Sequence, residues 1–382
     1  MNIEIPAHAV VMAVGGKHAP LAEALDHVPA VAAPWQVNDP KISADNLRVQ
    51  IQEHGLVRVA IPRAHGKAII DAAKIAHRHG AVSILLRLPG ADTDIERGLE
   101  HVDRVIEITG KEDLAFTITP MPNDRSDLTG PFDMFGDVHG TADELRELLT
   151  ATGHADADGN PRRHPGGRIP ILLGDLTDRG PKNREAMEIA RRLTELGGFV
   201  ILGNHDAKLQ RWLEGKDVLI AAGLAMTIAE LEVDTTLEWR ADMAAWLADL
   251  PTHLVLDGGR LVVAHAGLEE ALHGRNTPGA RSFALYGKPI KGGTALDEDG
   301  FPLAEDWAQT YTGKAMVVHG HVVHFDGPRI VNNVYGIDTG AVFGGALTSL
   351  AYPELFITQV KPKRTYFERR AVTADADQGE MA

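Results

Sequence analysis

The sequence predicts an α/β protein of two domains, on three observations. The chain has 382 residues, which exceeds one typical hydrophobic core and is comfortable for two. In its first third, apolar strand-like runs alternate with helix-like stretches, as in a doubly wound α/β domain. After a turn-rich stretch over 119–133, short apolar strands end abruptly at glycine-flanked Asp and His residues. We therefore expect domains over 1–128 and 131–372, and a flexible polar tail over 373–382.

The elements of the first domain follow from the period of its apolar residues. Runs of four to eight apolar residues predict strands, and longer amphipathic stretches between them predict helices. The predicted strands cover 8–14, 56–62, 81–88 and 102–108, and the predicted helices cover 43–55 and 66–80.

Composition excludes several classes of protein. Hydrophobic residues make up 44% of the chain and charged residues 24%, as in a globular domain. No apolar run approaches the length of a membrane span, and the first residues lack the basic segment of a signal peptide, so we expect a cytoplasmic protein without a membrane partner. The chain has no cysteine, which excludes disulfides and iron–sulfur chemistry and leaves metal binding to His, Asp, Glu and Asn. A net charge of −15 counts against binding of extended duplexes.

Five segments of the second domain share one design, in which an apolar strand delivers oxygen or nitrogen ligands at its carboxyl end. Glycine beside each ligand allows the backbone to turn tightly. One such segment alone would be a turn more often than a metal site, but the ordered set is specific. The segments are FGDVHG (135–140), LLGDLTDRG (172–180), ILGNHD (201–206), VVAHAGL (262–268) and VVHGHVVH (317–324).

This set resembles the calcineurin-like metallophosphoesterases, in particular their phosphoprotein-phosphatase branch. Within that branch, RSFALYG (281–287), KAMVVHGH (314–321) and VNNVYGIDTGAVFGGALTSLAYPE (331–354) look like the phosphatase module of bacterial polynucleotide kinase-phosphatase, an RNA end-healing enzyme. The resemblance covers roughly 131–355. It implies a four-layer second domain, with two packed β-sheets flanked by helices, and metal-assisted hydrolysis of a phosphoester.

The resemblance also implies roles for individual residues. Two divalent ions, with Mn²⁺ the first choice and Fe, Zn or Ni as alternatives, would clamp a phosphoryl group. The expected ligands are Asp137 and His139 for the first ion, Asp175 as the bridge, and Asn204, His265 and His321 for the second. Arg179 would bind phosphate oxygens, and His205 would be the general acid. Asp178 would orient His205, and Asp338 is a supporting or acid-pairing candidate.

The segment HGHVVH (319–324) raises the question of which of its three histidines binds metal. Gly320 interrupts the strand, so the three side chains need not share a face. By position in the motif we expect His321 to be a ligand and expect His319 and His324 not to be.

In the kinase-phosphatase family the preceding domain is a P-loop kinase, and the first domain here is expected to be a degenerate version of it. A P-loop requires G-x-x-x-x-G-K-[ST]. The best candidate, VMAVGGKHAP (11–20), has Val11 in place of the first glycine and His18 in place of the hydroxyl residue. Kinase activity is therefore not expected, and a structural or docking role is.

The substrate is left open among several classes. A nucleotide or polynucleotide terminal phosphate comes first, by resemblance to the end-healing module. A diadenosine polyphosphate and a serine/threonine phosphoprotein are the alternatives, because related branches use the same core motifs. A non-catalytic nucleotide-binding regulatory protein is an alternative of another class.

Overall fold

The computed structural model describes residues 2–15, 24–25, 28, 35–36, 44–61, 66–90, 95–109, 115–119, 121–290, 293, 296–297 and 299–368. These residues form two compact units. One comprises Met1–Asp124 and Gly274–Arg281, and the other comprises Arg125–His273 and Ser282–Ala382. Whether these units correspond to independently folding domains over 1–128 and 131–372 stays a prediction. Part of the P-loop candidate, at 16–20, and the predicted tail over 373–382 lie outside the described residues.

The first unit is built on a parallel sheet. Its elements are β1 (Asn2–Pro6), β2 (Ala9–Val14), β3 (Trp35–Gln36), α1 (Ala44–His54), β4 (Leu56–Ile61), α2 (Gly66–Arg78), β5 (Val82–Arg87), α3 (Glu96–Leu99), β6 (Arg104–Glu107) and β7 (Ala115–Thr119). The sheet has the order β3-β4-β2-β5-β6, with every described pairing parallel, and β1 pairs with β7 separately.

Strand β2 is buried on both faces, as expected for the central strand of a doubly wound sheet. Val10 and Met12 pack into the core cluster of α1 and α2, whereas Val11 and Ala13 pack on the opposite face with Leu25. A strand covered on both sides reads as a continuous apolar run, as AVVMAV does. The four strands and two helices predicted for this part of the sequence are confirmed.

The second unit contains two large sheets, of five and six strands, and a small two-stranded sheet of Lys288–Pro289 with Ala304–Glu305. The elements of this unit are β8 (Asp124–Arg125), β9 (Phe132–Phe135), α4 (Ala142–Ala151), β10 (Ile169–Leu172), α5 (Asn183–Glu195), β11 (Phe199–Val200), α6 (Asn204–Leu213), α7 (Ala222–Asp234), α8 (Leu237–Ala248), β12 (His253–Leu256), β13 (Leu261–Ala264), α9 (Pro278–Tyr286), β14 (Lys288–Pro289), β15 (Ala304–Glu305), β16 (Met316–His319), β17 (Arg329–Val331), β18 (Val334–Gly336), β19 (Leu347–Tyr352) and β20 (Ile357–Val360). Of these, β8 and α9 each begin in residues counted with the first unit. Short 3-10 turns lie at Asp257–Gly259, Glu270–Leu272, Trp307–Thr310 and Ala341–Phe343. One large sheet has the order β11-β10-β9-β19-β20, and the other large sheet has the order β17-β18-β16-β13-β12-β8.

Alternation along the strands places these two sheets face to face. Met134 of β9 and Val263 of β13 belong to one buried cluster between the sheets. Phe135 packs on the other side of its sheet with α4 and α5, and Val262 packs on the other side of its sheet with Phe283. The result is helix, sheet, sheet, helix, so the predicted mixed α/β class and the four-layer arrangement are confirmed.

Candidate functional site

Six strands of the second unit deliver polar side chains to one region. Strands β9, β10 and β11 run parallel in one sheet, and β13, β16 and β18 run parallel in the other. The carboxyl ends of parallel strands meet at one edge of a sheet, which is the usual place for a site in α/β folds. Immediately after these ends the chain carries Asp137, His139, Asp175, Asp178, Arg179, Asn204, His205, His265, His321 and Asp338.

The turns after these strands hold non-glycine residues in left-handed backbone. His139, Asp175, Asp178, Arg179 and His321 have φ of 45°, 47°, 76°, 72° and 65°. Each such residue costs of order 1–3 kcal/mol and persists only where the surrounding fold imposes it. Their concentration in one region indicates that the strained backbone conformation is needed there to place these side chains.

Glycine at two positions allows the chain to pass close to a carboxylate. A Cβ on Gly320 would lie 1.8 Å from Asp137 Oδ1, and a Cβ on Gly203 would lie 2.2 Å from Asp175 Oδ1. No side chain fits at such distances, so these glycines are required by the site rather than by the turns alone.

Two groups of candidate ligands share Asp175. His139, Asp175 and His205 form one group, and Asp175, His265 and His321 form the other, with the ligand atoms of each group within 4.8 Å of one another. Asn204 completes the second group, because its Oδ1 lies 2.7 Å from His265 Nε2 and 3.0 Å from His321 Nδ1. Four of the predicted ligands thus lie around Asp175, namely His139, Asn204, His265 and His321. Asp137 falls in neither group found among the described residues, and His205, which was expected to be the general acid, falls in the first.

Backbone carbonyls orient two of the imidazoles. His139 Nδ1 donates to Thr177 O at 2.7 Å, and His265 Nδ1 donates to Leu173 O at 2.8 Å. Each contact leaves Nε2 facing the cluster, an arrangement typical of metal-binding histidines. Burial and the Arg179 guanidinium lower the pKa of His139 well below its usual range, which keeps its imidazole neutral and able to act as a ligand.

The carboxylates of the site are buried close together and need a cation. Asp137 Oδ2 accepts from His321 N at 2.9 Å, while the buried Oδ1 has no hydrogen-bond partner among the described residues. Burial and the Asp338 carboxylate raise the pKa of Asp137 well above its usual range. Burial also raises the pKa of Asp338 to about 6.

Asp175 is different, since burial opposes its ionisation but the His265 and His205 imidazoles hold its pKa well below the usual range. Burial disfavours the charged form of His265 in turn, yet the Asp175 carboxylate outweighs it and raises the pKa to about 10. An unpartnered buried carboxylate oxygen, crowded anionic groups and an oxygen and imidazole donor set all fit divalent cations such as Mn, Fe, Zn or Ni.

His205 belongs to a chain of buried hydrogen bonds. Its Nδ1 lies 2.7 Å from Asp178 Oδ2, and Thr227 Oγ1 donates to Asp178 Oδ1 at 2.6 Å. The backbone N–H of His205 donates to Asp175 Oδ1 at 3.0 Å. Asp178 therefore fixes the imidazole as predicted from the resemblance, with Nε2 as the ring nitrogen that it leaves available. Thr227, on α7, was not predicted, because a lone helical threonine carries no motif.

Arg179 has partners that the sequence did not indicate. Its Nη2 donates to Asp299, its Nη1 lies 2.8 Å from His139 Nε2, and its guanidinium lies 5.2 Å from the centre of the Phe343 ring. Asp299 Oδ2 also lies 3.8 Å from His205 Nε2. In the sequence, Asp299 belongs to the acidic segment DEDG at 297–300. Such a segment is typical of an ordinary loop and does not by itself indicate a site.

These side chains line a cavity of about 240 Å³. His139, Asp175, Arg179, Asn204, His205 and His321 form its polar wall, and residues 302–304 and 322–323 lie around it. Asp338 is buried behind Asp137, with Oδ1 accepting from Gly340 N at 2.9 Å. Neither His319 nor His324 falls in the two ligand groups found among the described residues.

Comparison with known proteins agrees with this geometry. The sequence profile of the calcineurin-like phosphoesterases matches residues 130–325. Asymmetrical bis(5'-nucleosyl)-tetraphosphatase PrpE of Geobacillus sp. (strain WCH70) is 38% identical over 247 residues, which is 64% of this chain and 99% of that protein. The Bacillus subtilis (strain 168) protein of the same name is 38% identical over 243 residues, 63% of this chain and 98% of that protein.

Among solved structures, a cold-active protein tyrosine phosphatase aligns with a TM-score of 0.43 and 16% identity, over 66% of this chain and 83% of that chain. None of the helices in the described part of the chain has the length and apolar character needed to cross a membrane.

Proposed function

The chain belongs to the calcineurin-like phosphoesterase family, and from this premise we propose that it hydrolyses bis(5'-nucleosyl) tetraphosphates into two unequal products. Members of this family are metal-dependent hydrolases, which does not support a non-catalytic regulatory role. The observation that carries the proposal is the pair of ligand groups sharing Asp175 beside Arg179 and His205. The substrate class is suggested by relatives that this chain matches over almost their whole length.

The proposed assignment of metal ligands follows the second group and departs from the first, because Asp137 takes the place of His205, whose imidazole is kept as the general acid. Asp137, His139 and Asp175 would hold one ion, and Asp175 with Asn204, His265 and His321 would hold the other. Two divalent ions, when bound, activate the attacking water and offset the charge of the phosphoryl group. We propose manganese as the metal because it is the first choice that the family resemblance implies, and the donor set is compatible with it as it is with Fe, Zn or Ni.

Arg179 supplies the fixed positive charge for the polyphosphate. Its guanidinium is nearly buried, with 11% of the side chain exposed, and sits against Phe343. A planar guanidinium held in this way can donate two parallel hydrogen bonds to the oxygens of one phosphate. Arg179 Nη2 also donates to the Asp299 carboxylate, so a phosphate that binds the guanidinium competes with Asp299.

His205 holds the proton that the leaving group needs. Asp178 accepts from Nδ1–H, so that a proton on Nε2 faces the cavity. As water adds to phosphorus and the bond from phosphorus to the bridging oxygen breaks, Nε2 gives its proton to that oxygen. Cleavage that divides four phosphates unequally yields a nucleoside monophosphate and a nucleoside triphosphate.

A terminal phosphomonoester of a nucleotide or RNA is the second candidate. It is favoured by the segments RSFALYG and VNNVYGIDTG, which resemble the end-healing phosphatase module. The same wall of Arg179 and His205 would act on it, with an alkoxide in place of a phosphate as leaving group. A phosphoprotein substrate has no comparable support.

The test compares three substrates on the manganese-loaded full chain. Diadenosine tetraphosphate, an RNA oligonucleotide with a 3′-phosphate and a phosphoserine peptide are assayed side by side, with nucleotide products separated by anion-exchange chromatography. We expect kcat/KM to be at least about 10²-fold higher for the tetraphosphate, a preference worth about 2.7 kcal/mol, with AMP and ATP in equal amounts. Asp175→Asn serves as the inactive control.

Other outcomes would redirect the assignment. A preference for the RNA end would favour the second candidate. Formation of ADP alone would contradict unequal cleavage while leaving the phosphoesterase chemistry intact.

A further inference from the structure

A second cavity adjoins the first on the other side of His321. Its volume is about 320 Å³, and Ala304, His321 and Val322 line both cavities. Its remaining wall includes Trp307, His319, His324, Arg329 and the carboxylates Glu305 and Asp306. We call this cavity the histidine pocket. The metal-binding arrangement described above uses only its shared edge.

We propose that the histidine pocket binds one nucleoside group of the substrate, so that the polyphosphate extends from it across the metal-binding cavity. This proposal rests on the proposed function. Three observations support it, concerning the aromatic wall, the hydrogen-bonding groups and the charge.

The aromatic wall is a tryptophan that the fold holds in one position. Trp307 is 5% exposed, its Nε1 donates to Ala266 O at 3.2 Å, and its ring packs edge-on against Phe283 with centroids 5.6 Å apart. With only 5% of its surface exposed, Trp307 presents a rigid apolar edge rather than a ring face to the pocket, and a nucleoside can pack against that edge without first ordering it. A cavity of about 320 Å³ lies at the low end of the range for small-molecule sites, as suits one nucleoside.

The hydrogen-bonding groups are two histidines whose roles were left open by the sequence. His319 Nδ1 donates to Gly320 O at 2.8 Å, which makes Nε2 the ring nitrogen that can accept a hydrogen bond. The Nε2 atom of His324 is buried and has no hydrogen-bond partner among the described residues. Buried polar atoms are normally paired, and a rotation of this half-buried side chain would bring the unpaired nitrogen into the pocket, where a ligand can serve as its partner. Ring nitrogens, exocyclic amines and ribose hydroxyls of a nucleoside are suitable counterparts.

The negative charge of the histidine pocket favours a nucleoside over a phosphate group as its ligand. Glu305 and Asp306 add negative charge, and Arg329 is already paired through both nitrogens of its fork with Asp306, at 3.0 and 2.6 Å. A phosphate would be repelled there, whereas the neighbouring cavity offers Arg179 and the candidate metal site. The two cavities thus match the two parts of a nucleotide, and HGHVVH contributes to each.

The test uses His324→Ala, because His324 is only half-buried and its loss removes the unpaired nitrogen without opening the core. His164→Ala is the matched control, a half-buried histidine of the same unit that lines neither cavity. Two rates are measured, with diadenosine tetraphosphate and with p-nitrophenyl phosphate, which has no nucleoside. Binding of adenosine is measured separately by calorimetry on the full chain.

We expect His324→Ala to lower the ratio of the two kcat/KM values about tenfold, a loss of about 1.4 kcal/mol, and to weaken adenosine binding by a similar factor. His324→Gln, which keeps a polar atom, should recover part of both losses, and His164→Ala should change neither. Adenosine that fails to bind the wild type, or binds His324→Ala equally well, would overturn the proposal. Absence of turnover on both phosphate substrates would instead refute the proposed function, with adenosine binding still deciding the role of the pocket.

Discussion

Replacing Gly320 by alanine tests whether the position of Asp137 controls activity. The new Cβ would lie 1.8 Å from Asp137 Oδ1, and the oxygen would have to retreat by about 1.6 Å to reach an ordinary contact of 3.4 Å. Gly320 does not have a positive φ, so the effect is steric rather than a backbone strain of the alanine itself. The same movement would disturb the hydrogen bond from His321 N to Asp137 Oδ2, which is 2.9 Å long.

The expected size of the loss follows from this displacement. A misplacement of about 1 Å at a reacting centre can cost roughly 10²-fold in rate, or about 2.7 kcal/mol. Overpacking of a buried site costs about 1–3 kcal/mol in stability. We therefore expect kcat/KM to fall about 10²-fold and the manganese concentration for half-maximal activity to rise, with a modest decrease in Tm.

The assay measures kcat/KM over a manganese titration, together with metal content and thermal unfolding. Gly279→Ala is the control, because its added Cβ has its nearest neighbour, Thr277 Oγ1, at 3.8 Å. A Gly320→Ala protein with kcat/KM within twofold of wild type and an unchanged manganese dependence would refute the reasoning. Loss of folding would show in the unfolding curve and would be distinguished from loss of metal.

Three further predictions concern side chains in the cavity. Asp175→Asn should abolish turnover, at least about 10³-fold, since both ligand groups depend on its carboxylate; near-normal kcat would remove the bridging assignment. His205→Ala should slow a ribonucleoside 3′-monophosphate by about 10²–10⁴-fold but p-nitrophenyl phosphate much less, because an alkoxide is a far stronger base than p-nitrophenolate and depends more on the proton as it leaves; equal losses would exclude the general acid. Asp299→Asn should lower KM for phosphate substrates about tenfold, as one competing charge on Arg179 is removed; an increase in KM would mean that Asp299 holds Arg179 in place for the substrate.

The parallel strands of the first unit could be predicted from the sequence because both of their faces are buried. Residues 9–14 form an uninterrupted apolar run, and such a run bounded by turns has few alternatives. The placement of the candidate ligands after strand ends could be predicted for a different reason, although their roles as ligands stay a prediction. Each candidate ligand lies within a few residues of the end of a strand. Its place in the sequence therefore predicts its place at the edge of the sheet.

Contacts made by loops were not predictable in this way. Asp299 reaches Arg179 from 120 positions along the chain, and its segment has neither periodicity nor a motif. Trp307 and His324 come together in the histidine pocket for the same reason, through loops whose path depends on packing rather than on local preference. Substrate choice lies in such loops, which is why the chemistry was clearer from the sequence than the substrate.

The left-handed residues give an independent measure of which positions the site controls. At a positive φ, glycine avoids roughly 1–2 kcal/mol of steric cost that any other residue carries. His139, Asp175 and Arg179 have a positive φ nevertheless. Interactions of their side chains must therefore offset this steric cost. Strain alone does not mark a site, since Leu355 is also left-handed and is 44% exposed in a turn. What distinguishes the candidate centre is that its strained residues are buried or nearly buried and are the residues whose side chains offer ligand atoms or a guanidinium.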